Sequence, residues 1–433
     1  MLRYNAIMGL LRLSGSRVPE YFDEMKKFSR MSRAEIKAVQ RERLEKLLVY
    51  AWENVPYYRT ILESCAVVSD GKVNLDRFAS IPVLTKDIIR AQGEAMYSTE
   101  CGDRGCFVNT SGGSTGEPVK LLQDREYSWR NDASKLFFNH MLGKEPGDSE
   151  FKFWGSYRDL YTGPKEITRD WLYNRKLVDS FTLDDAKLRK TVRQFNSFKP
   201  KAVWAYVDSM VELAKFVRAN NIKIHSPAVI ITTTGVLHDE QRELLEKTFS
   251  APVCDQYGSR ETGAIACQCR ERKALHVFDW NCYVEVADSR ILITLLTNYS
   301  MPLIRYEIGD TAELETGECS CGLHTSLIKK ITGRIFDHFV RADGSLVHGQ
   351  YFTALMFNRA WLKRFKILQK EDGNITVYLV CPATPPAGDL AFIERSVKEK
   401  MGSGCEVKLE FVGEIPPTPS GKYRYTESLV KRK

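Results

Sequence analysis

The chain has 433 residues, of which 43% are hydrophobic, enough for a sizeable core spread over roughly two or three domains of ~150 residues, and wholesale disorder is excluded. Its 63 basic and 55 acidic residues leave a net charge of +8, but they are interleaved without a block of like charge, which excludes a nucleic-acid-binding tail. Apolar runs such as 228–231 and 291–296 have strand length, far short of the ~20 residues of a spanning helix, and eleven cysteines without a secretory signal fit a reducing, cytoplasmic compartment.

In chain order, the stretch MLRYNAIMGLLRLSGSR comes first. Arg3 and Arg12 interrupt its apolar run and no small-residue cleavage site follows, so it does not read as a signal peptide. Leu2, Ile7, Leu10, Leu11 and Leu13 mixed with arginines suit either a helix packed on its own domain, the preferred reading, or one lying on a membrane surface. Residues 20–65 read as helix. Within them Ser32 and Glu35 form a capping box at the start of 31–49, and Asn54-Val55-Pro56 breaks the pattern. Pro82 and Thr85 introduce a short helix, and 105–122 reads as strand, loop, strand.

From about 125 to 260 helical patterns alternate with the β-rich runs 202–206, 228–234 and 252–258, predicting βαβ units and a largely parallel sheet. Closely spaced strands over 276–315 (HVFDW, YVEVA, RILITLL, LIRYEIGD) predict an antiparallel subdomain or barrel. A boundary falls near Gly333–Asp337, followed by a compact β-β-α-β unit.

The run Asn109–Pro118, NTSGGSTGEP, has the glycines and hydroxyls of an anion cradle, since glycine lets backbone N–H groups approach a phosphate closely. It lacks the Lys of a Walker A loop, and composition alone leaves a flexible surface loop as an equal alternative. In context it resembles the phosphate loop of the adenylate-forming superfamily of acyl-CoA synthetases. Four more stretches follow in that superfamily's order: Gln256–Glu261 (QYGSRE), Ile304–Asp310 (IRYEIGD), Gly333–Asp337 (GRIFD) and Pro419–Arg424 (PSGKYR). NVPYYR, IPVLTKD, MPLIRYEIGD and the Cys-Ser-Cys-Gly before ITGR are similar to the phenylacetate-CoA ligase family, and the compact length to its CapK-like, capsular-polysaccharide-associated branch.

The resemblance implies an α/β fold. A large N-terminal adenylation domain (1–335), with parallel sheets and a β-barrel-like subdomain, would bind ATP and acid. A small mobile α+β lid (336–433) would carry Lys422. The implied reaction activates a carboxylic acid as acyl-AMP, releases pyrophosphate, and transfers the acyl group to CoA; an amine or hydroxyl acceptor, or a catalytically silent scaffold, are the alternatives. Thr110, Ser111, Gly113, Ser114, Thr115 and Gly116 would grip the phosphates. Glu261 would hold Mg²⁺, and Asp310 the ribose hydroxyls. Tyr257 and Gly258, with Thr234 and Gly235, would line the adenine site. Arg334 would contact ribose or phosphate, and Lys422 would bridge the attacking carboxylate and the α-phosphate. The partners implied are ATP, a small carboxylic acid and CoA, with a homodimer left open. Arg260, where the family has Thr, and Phe336, where its hinge has Asp, depart from the pattern. Related sequences also place Cys and His as Cys269, His276, Cys319 and Cys321 stand here, implying a structural Zn²⁺ site of soft N/S ligands. Cys267 and His324 are substitutes, and four unrelated thiols are the alternative.

Overall fold

The computed structural model describes residues 2–110, 119–154, 163–179, 185–334, 338–356, 359, 361–402, 404–416 and 424–430. Helices α1 (Leu2–Leu13) and α2 (Val18–Phe28) precede α3 (Arg33–Asn54). The expected capping box opens α3: Glu35 N donates to Ser32 Oγ at 3.3 Å, and Ser32 N donates to the Glu35 carboxylate at 2.8 Å. Proline lacks an N–H and is tolerated in a first turn, so α3 stops at Asn54 and α4 (Pro56–Ser64) starts on Pro56. A small ribbon, β1 (Val68–Ser69) and β2 (Lys72–Val73), leads to α5 (Lys86–Gln92), whose N-cap is Thr85. Strands β3 (Phe107–Thr110) and β4 (Lys120–Gln123) pair antiparallel, and α6 (Arg125–Met141) follows from its N-cap Asp124.

Strand and helix then alternate: β5 (Glu150–Trp154), α7 (Pro164–Leu172), β6 (Arg175–Asp179), α8 (Asp185–Phe198), β7 (Ala202–Tyr206), α9 (Val207–Ala219), β8 (Val229–Thr233), α10 (Asp239–Phe249) and β9 (Val253–Ser259). The strands lie side by side as β6-β5-β7-β8-β9, every pair parallel. Both faces are covered, which is why β7 reads as a continuous apolar run. Its side chains alternate between two cores. Val203 and Ala205 pack with α8, α9 and α10, while Ala202 and Trp204 pack with α2 and α6. Trp280 is buried in the second core against Phe28, Phe137 and Phe278.

Six more strands, β10 (Gly263–Gln268), β11 (Leu275–Val277), β12 (Cys282–Ala287), β13 (Arg290–Leu295), β14 (Tyr306–Glu315) and β15 (Leu327–Arg334), extend this sheet. Its 11 strands run β12-β13-β14-β15-β11-β10-β9-β8-β7-β5-β6. The strands expected to form a barrel-like subdomain are thus, among the described residues, the other end of one mixed sheet. β10 turns straight back onto β9 and pairs antiparallel with it, so the sheet continues instead of restarting. HVFDW is strand only as far as Val277, because Asn281 N closes a turn onto Phe278 O at 2.8 Å.

Two compact units divide the chain: Met1–Ile308 with Ala312–Lys330, and Gly309–Thr311 with Ile331–Lys433. The second holds β16 (His338–Val340), β17 (Leu346–His348), α11 (Gly349–Met356), β18 (Arg364–Gln369), β19 (Ile375–Val380), α12 (Ala387–Met401), β20 (Val407–Phe411) and β21 (Thr426–Ser428). The expected β-β-α-β unit is present, with additions. Its sheet order is β20-β19-β18-β21, and Phe339, Phe352, Ile367, Val377, Ile393 and Val397 lie in its core.

One buried ion group gives the first unit a pH dependence. Burial drives the Glu150 carboxyl upward, but Lys144 (2.6 Å) and Arg175 (2.7 Å) outweigh it and hold the group at about 2. A carboxyl depressed on folding contributes stability above its unfolded pKa and loses it as pH falls. Wild-type protein is therefore expected to lose more stability than Glu150→Gln between pH 4.5 and about 2. Urea titrations of both proteins across that window check it; parallel profiles would contradict it.

Candidate active site and Cys–His cluster

The parallel strands end along one carboxyl edge, where ligands of open α/β sheets bind. Trp154 ends β5 and Tyr206 ends β7, their ring centroids 4.8 Å apart. Tyr206 is in register with Thr233 of β8, and Thr232 with Asp255 of β9. Thr234 and Gly235 therefore leave β8 beside the end of β9 that carries Tyr257 and Gly258. Thr234 sits at φ +62°, a conformation uncommon for a threonine and worth noting at a binding edge. A Cβ on Gly258 would lie 2.4 Å from the Gly263 carbonyl, so this position must be glycine for β9 and β10 to approach. Trp204, on the same strand as Tyr206, packs in the core, and its Nε1 donates to Asn139 Oδ1 at 3.1 Å.

Between β9 and β10 the chain makes the tight turn that carries Glu261. Ser259 Oγ accepts from the N–H groups of Glu261 (3.1 Å) and Thr262 (3.2 Å), the local bonding that makes serine a turn former. The Glu261 carboxylate is 6% exposed and lies 3.4 Å from Lys86 Nζ. Arg260 is exposed at this turn, while its carbonyl points inward.

That turn is bonded to the hairpin bearing the Gly/Ser/Thr run. Gln123 Nε2 donates to the Arg260 (3.0 Å) and Glu261 (3.2 Å) carbonyls, and Asn109 Nδ2 donates to Gln123 Oε1 at 3.0 Å. Thr110 ends β3, so the run departs from a strand tied to the Glu261 turn. Ser111, Gly113, Ser114, Thr115 and Gly116 lie outside the described residues, as do Phe336 and Lys422. Lys86, Asn109 and Gln123 were missed from sequence. IPVLTKD marked the first only as a family-like stretch, Asn109 stood at the head of the Gly/Ser/Thr run without a role of its own, and nothing local marked Gln123.

Asp124 secures the far end of the hairpin. It is fully buried, accepts from Tyr127 N (2.8 Å), Ser300 Oγ (2.9 Å) and Tyr299 N (3.3 Å), and pairs with Arg104 at 3.0 Å. Removing one partner of a buried pair leaves an uncompensated charge. Asp124→Ala is expected to cost about 3–5 kcal/mol of unfolding free energy. Urea denaturation measures this, and a loss below ~1 kcal/mol would contradict it.

Asp310 and Arg334 belong to the second unit. Asp310 lies on β14 directly after Gly309, which takes φ +91°, and Arg334 ends β15. Thr311 Oγ1 donates to the Gly333 carbonyl at 3.2 Å, so Gly309–Thr311 and the Gly333-Arg334 end of β15 are tied together.

The preferred Cys–His set converges. The Sγ atoms of Cys269, Cys319 and Cys321 and a ring nitrogen of His276 all lie within 4.8 Å of one another. Cys269 and Cys319 Sγ are 3.6 Å apart, and Cys321 Sγ is 3.3 Å from His276 Nε2. A tetrahedron of ~2.3 Å metal–sulfur bonds has edges of about 3.8 Å, so a set gathered within 4.8 Å could close on Zn²⁺. His276 Nδ1 meets Thr325 Oγ1 at 3.1 Å, which aims Nε2 at the thiols. Burial pulls His276 down to about 4, keeping it neutral as a ligand must be, and pushes the Cys321 thiol up to about 12. Cys267, a proposed substitute, packs in the core with Phe278 and Trp280.

Comparison with known proteins fits this arrangement. A crystal structure of 2-hydroxyisobutyryl-CoA ligase in the postadenylation state, with R3-HIB-AMP, superposes with a TM-score of 0.71, at 18% identity over 93% of this chain and 91% of that one. The fold is that of the adenylate-forming ligases. Residues 339–428 match the CapK C-terminal domain model. The chain is 24% identical to protein CapK of Staphylococcus aureus over 98% of its own length and 96% of that protein's. It is 22% identical to the phenylacetate-coenzyme A ligase of Thermus thermophilus, covering 93% of this chain and 98% of that one. The resemblance to the CapK-like and phenylacetate-CoA ligase proteins thus extends over nearly the whole length.

Proposed function

We propose that the chain is an AMP-forming acid ligase. A carboxylate oxygen attacks the α-phosphorus of ATP, the bond to the β-phosphate breaks, and pyrophosphate leaves. The CoA thiol then attacks the acyl carbon and AMP departs. The observation that carries this reading is the Glu261 turn, a buried carboxylate bonded through its own backbone to the hairpin of the Gly/Ser/Thr run, at the carboxyl edge of the parallel strands.

Such a reaction brings like charges together, so alignment and neutralisation dominate. Thr110, Ser111, Gly113, Ser114, Thr115 and Gly116 bind the β- and γ-phosphates through amides and hydroxyls. Tyr257 packs on adenine beside Thr234, Gly235 and Gly258. Asp310 accepts from the ribose hydroxyls, Arg334 contacts ribose or phosphate, and Lys422 supplies a mobile ammonium to the reacting groups. Mg²⁺ neutralises triphosphate charge when bound, and Glu261 is the carboxylate suited to hold it. The small second unit is the lid, and the cytoplasm is the compartment that supplies ATP and CoA. Separately, Zn²⁺ held by Cys269, His276, Cys319 and Cys321 is structural, joining the β10–β11 connection to the segment before β15.

The test is incubation with ATP, Mg²⁺ and a panel of carboxylic acids, with and without CoA, reading pyrophosphate, AMP and thioester. Acid-dependent pyrophosphate with CoA-dependent thioester is expected. Release driven by an amine in place of CoA would reassign the acceptor. Absence of ATP binding by calorimetry in folded protein would end the proposal.

A further inference from the structure

Helix α1 has two apolar faces, which separates the two sequence readings of this stretch onto opposite sides of one helix. Ile7 and Met8 are buried, and Tyr4 and Leu11 pack against the same core. At about 100° per residue these four share one side. Leu2, Leu10 and Leu13 occupy the other, within about 80° of arc, and are 89%, 51% and 86% exposed. The helix lies close against the body of the unit at its flank as well: a Cβ on Gly147 (φ +91°) would come within 2.6 Å of Arg3 Cβ. The outer leucines are therefore presented to solvent by a docked helix.

Their surroundings are cationic. Arg3 flanks the leucine stripe on one side and Arg12 on the other, and α1 contains no acidic residue. Arg3 links this stripe to α7 in the same unit, its guanidinium 5.6 Å from the Trp171 ring centroid. Trp171 and Ile167, one helical turn apart, are 69% and 61% exposed. The carboxylates of α7 are partly covered: Glu166 and Asp170 are half-buried, and Asp170 lies 3.7 Å from Arg175. Single exposed leucines are ordinary. A set of exposed Leu, Ile and Trp bridged and rimmed by arginines marks an interaction site.

We propose that the outer faces of α1 and α7 dock the first unit onto an anionic lipid bilayer. Leucine and isoleucine enter the headgroup boundary, tryptophan takes its preferred place at the interface, and the flanking arginines meet lipid phosphates. Charge complementarity selects lipid over a second copy, because a copy would present the same arginines to each other. Adsorption, rather than spanning, is what the geometry permits: α1 has 12 residues, and among the described residues no helix is long and apolar enough to cross a membrane. An acyl-transfer enzyme held there would meet acids or acceptors that are themselves lipid-linked or membrane-confined.

The experiment is co-sedimentation of the full chain with vesicles of phosphatidylcholine alone, or with about one third phosphatidylglycerol. Binding about tenfold tighter to the anionic vesicles is expected, weakening with salt. The triple variant Leu10→Ser, Leu13→Ser, Trp171→Ser and the double variant Arg3→Glu, Arg12→Glu should each lose about tenfold. Their circular dichroism should match wild type, since all five positions are exposed. No sedimentation, equal affinity for both vesicles, or unchanged binding by both variants overturns the proposal. So does a light-scattering mass that falls in the triple variant while vesicle binding persists, which would make the face a contact between copies.

Discussion

Lys422→Ala is expected to slow acyl-adenylate formation by about a hundred- to a thousand-fold while changing ATP affinity only a few-fold. The reacting groups are a carboxylate and a triphosphate, whose repulsion must be offset where the new bond forms. A single well-placed cation or donor at such a position contributes that much because it acts on charge developing in the transition state. Binding is spread over many groups and depends little on this one. Single-turnover pyrophosphate release, with ATP binding followed by calorimetry, separates the two. Lys422→Arg should recover little, because a planar guanidinium does not replace a compact ammonium on a flexible stem. Adenylation at the wild-type rate in Lys422→Ala would remove the lysine from the chemistry.

The largest effect on stability is expected from the Cys–His cluster. Protein made in zinc-containing medium should carry close to one zinc per chain by elemental mass spectrometry. Cys319→Ser with Cys321→Ser should abolish that zinc and lower unfolding free energy by about 4 kcal/mol or more. The size follows from what the metal ties together: Cys269 closes the connection from β10 to β11, while Cys319 and Cys321 lie some fifty residues on, in the segment before β15. Without a metal, three thiols and a neutral imidazole hold these segments weakly. Adenylation by surviving folded protein should change little, because the cluster lies at the end of β10 remote from Glu261. Zinc-free wild-type protein, indifferent to chelator on melting, would leave only four neighbouring side chains.

How much of this was legible beforehand depends on the range of the interactions. Wherever an element is set by residues a few positions apart, the sequence announced it: Ser32 and Glu35 cap α3, Pro56 separates α3 from α4, and Thr85 caps α5. The βαβ alternation followed from periodicity, and ordered motifs pointed to the ligase fold. Strand boundaries in the antiparallel region were less clear, since HVFDW and LIRYEIGD mix strand with turn.

The arrangement of the site was a different matter. Gln123 meets Arg260 across 137 residues, and Lys86 meets Glu261 across an even longer interval. Neither contact leaves a local pattern, because hydrogen bonds between distant segments exist only once the sheet brings them together. The same holds for α1: its sequence offered leucines and an isoleucine mixed with arginines, but which leucines are covered depends on what packs beneath them. Sequence alone determined the elements, their order and the residue chemistry available. Tertiary structure decided which of those residues share a site and which face solvent, since burial and partnership are properties of the packed chain and not of its spacing.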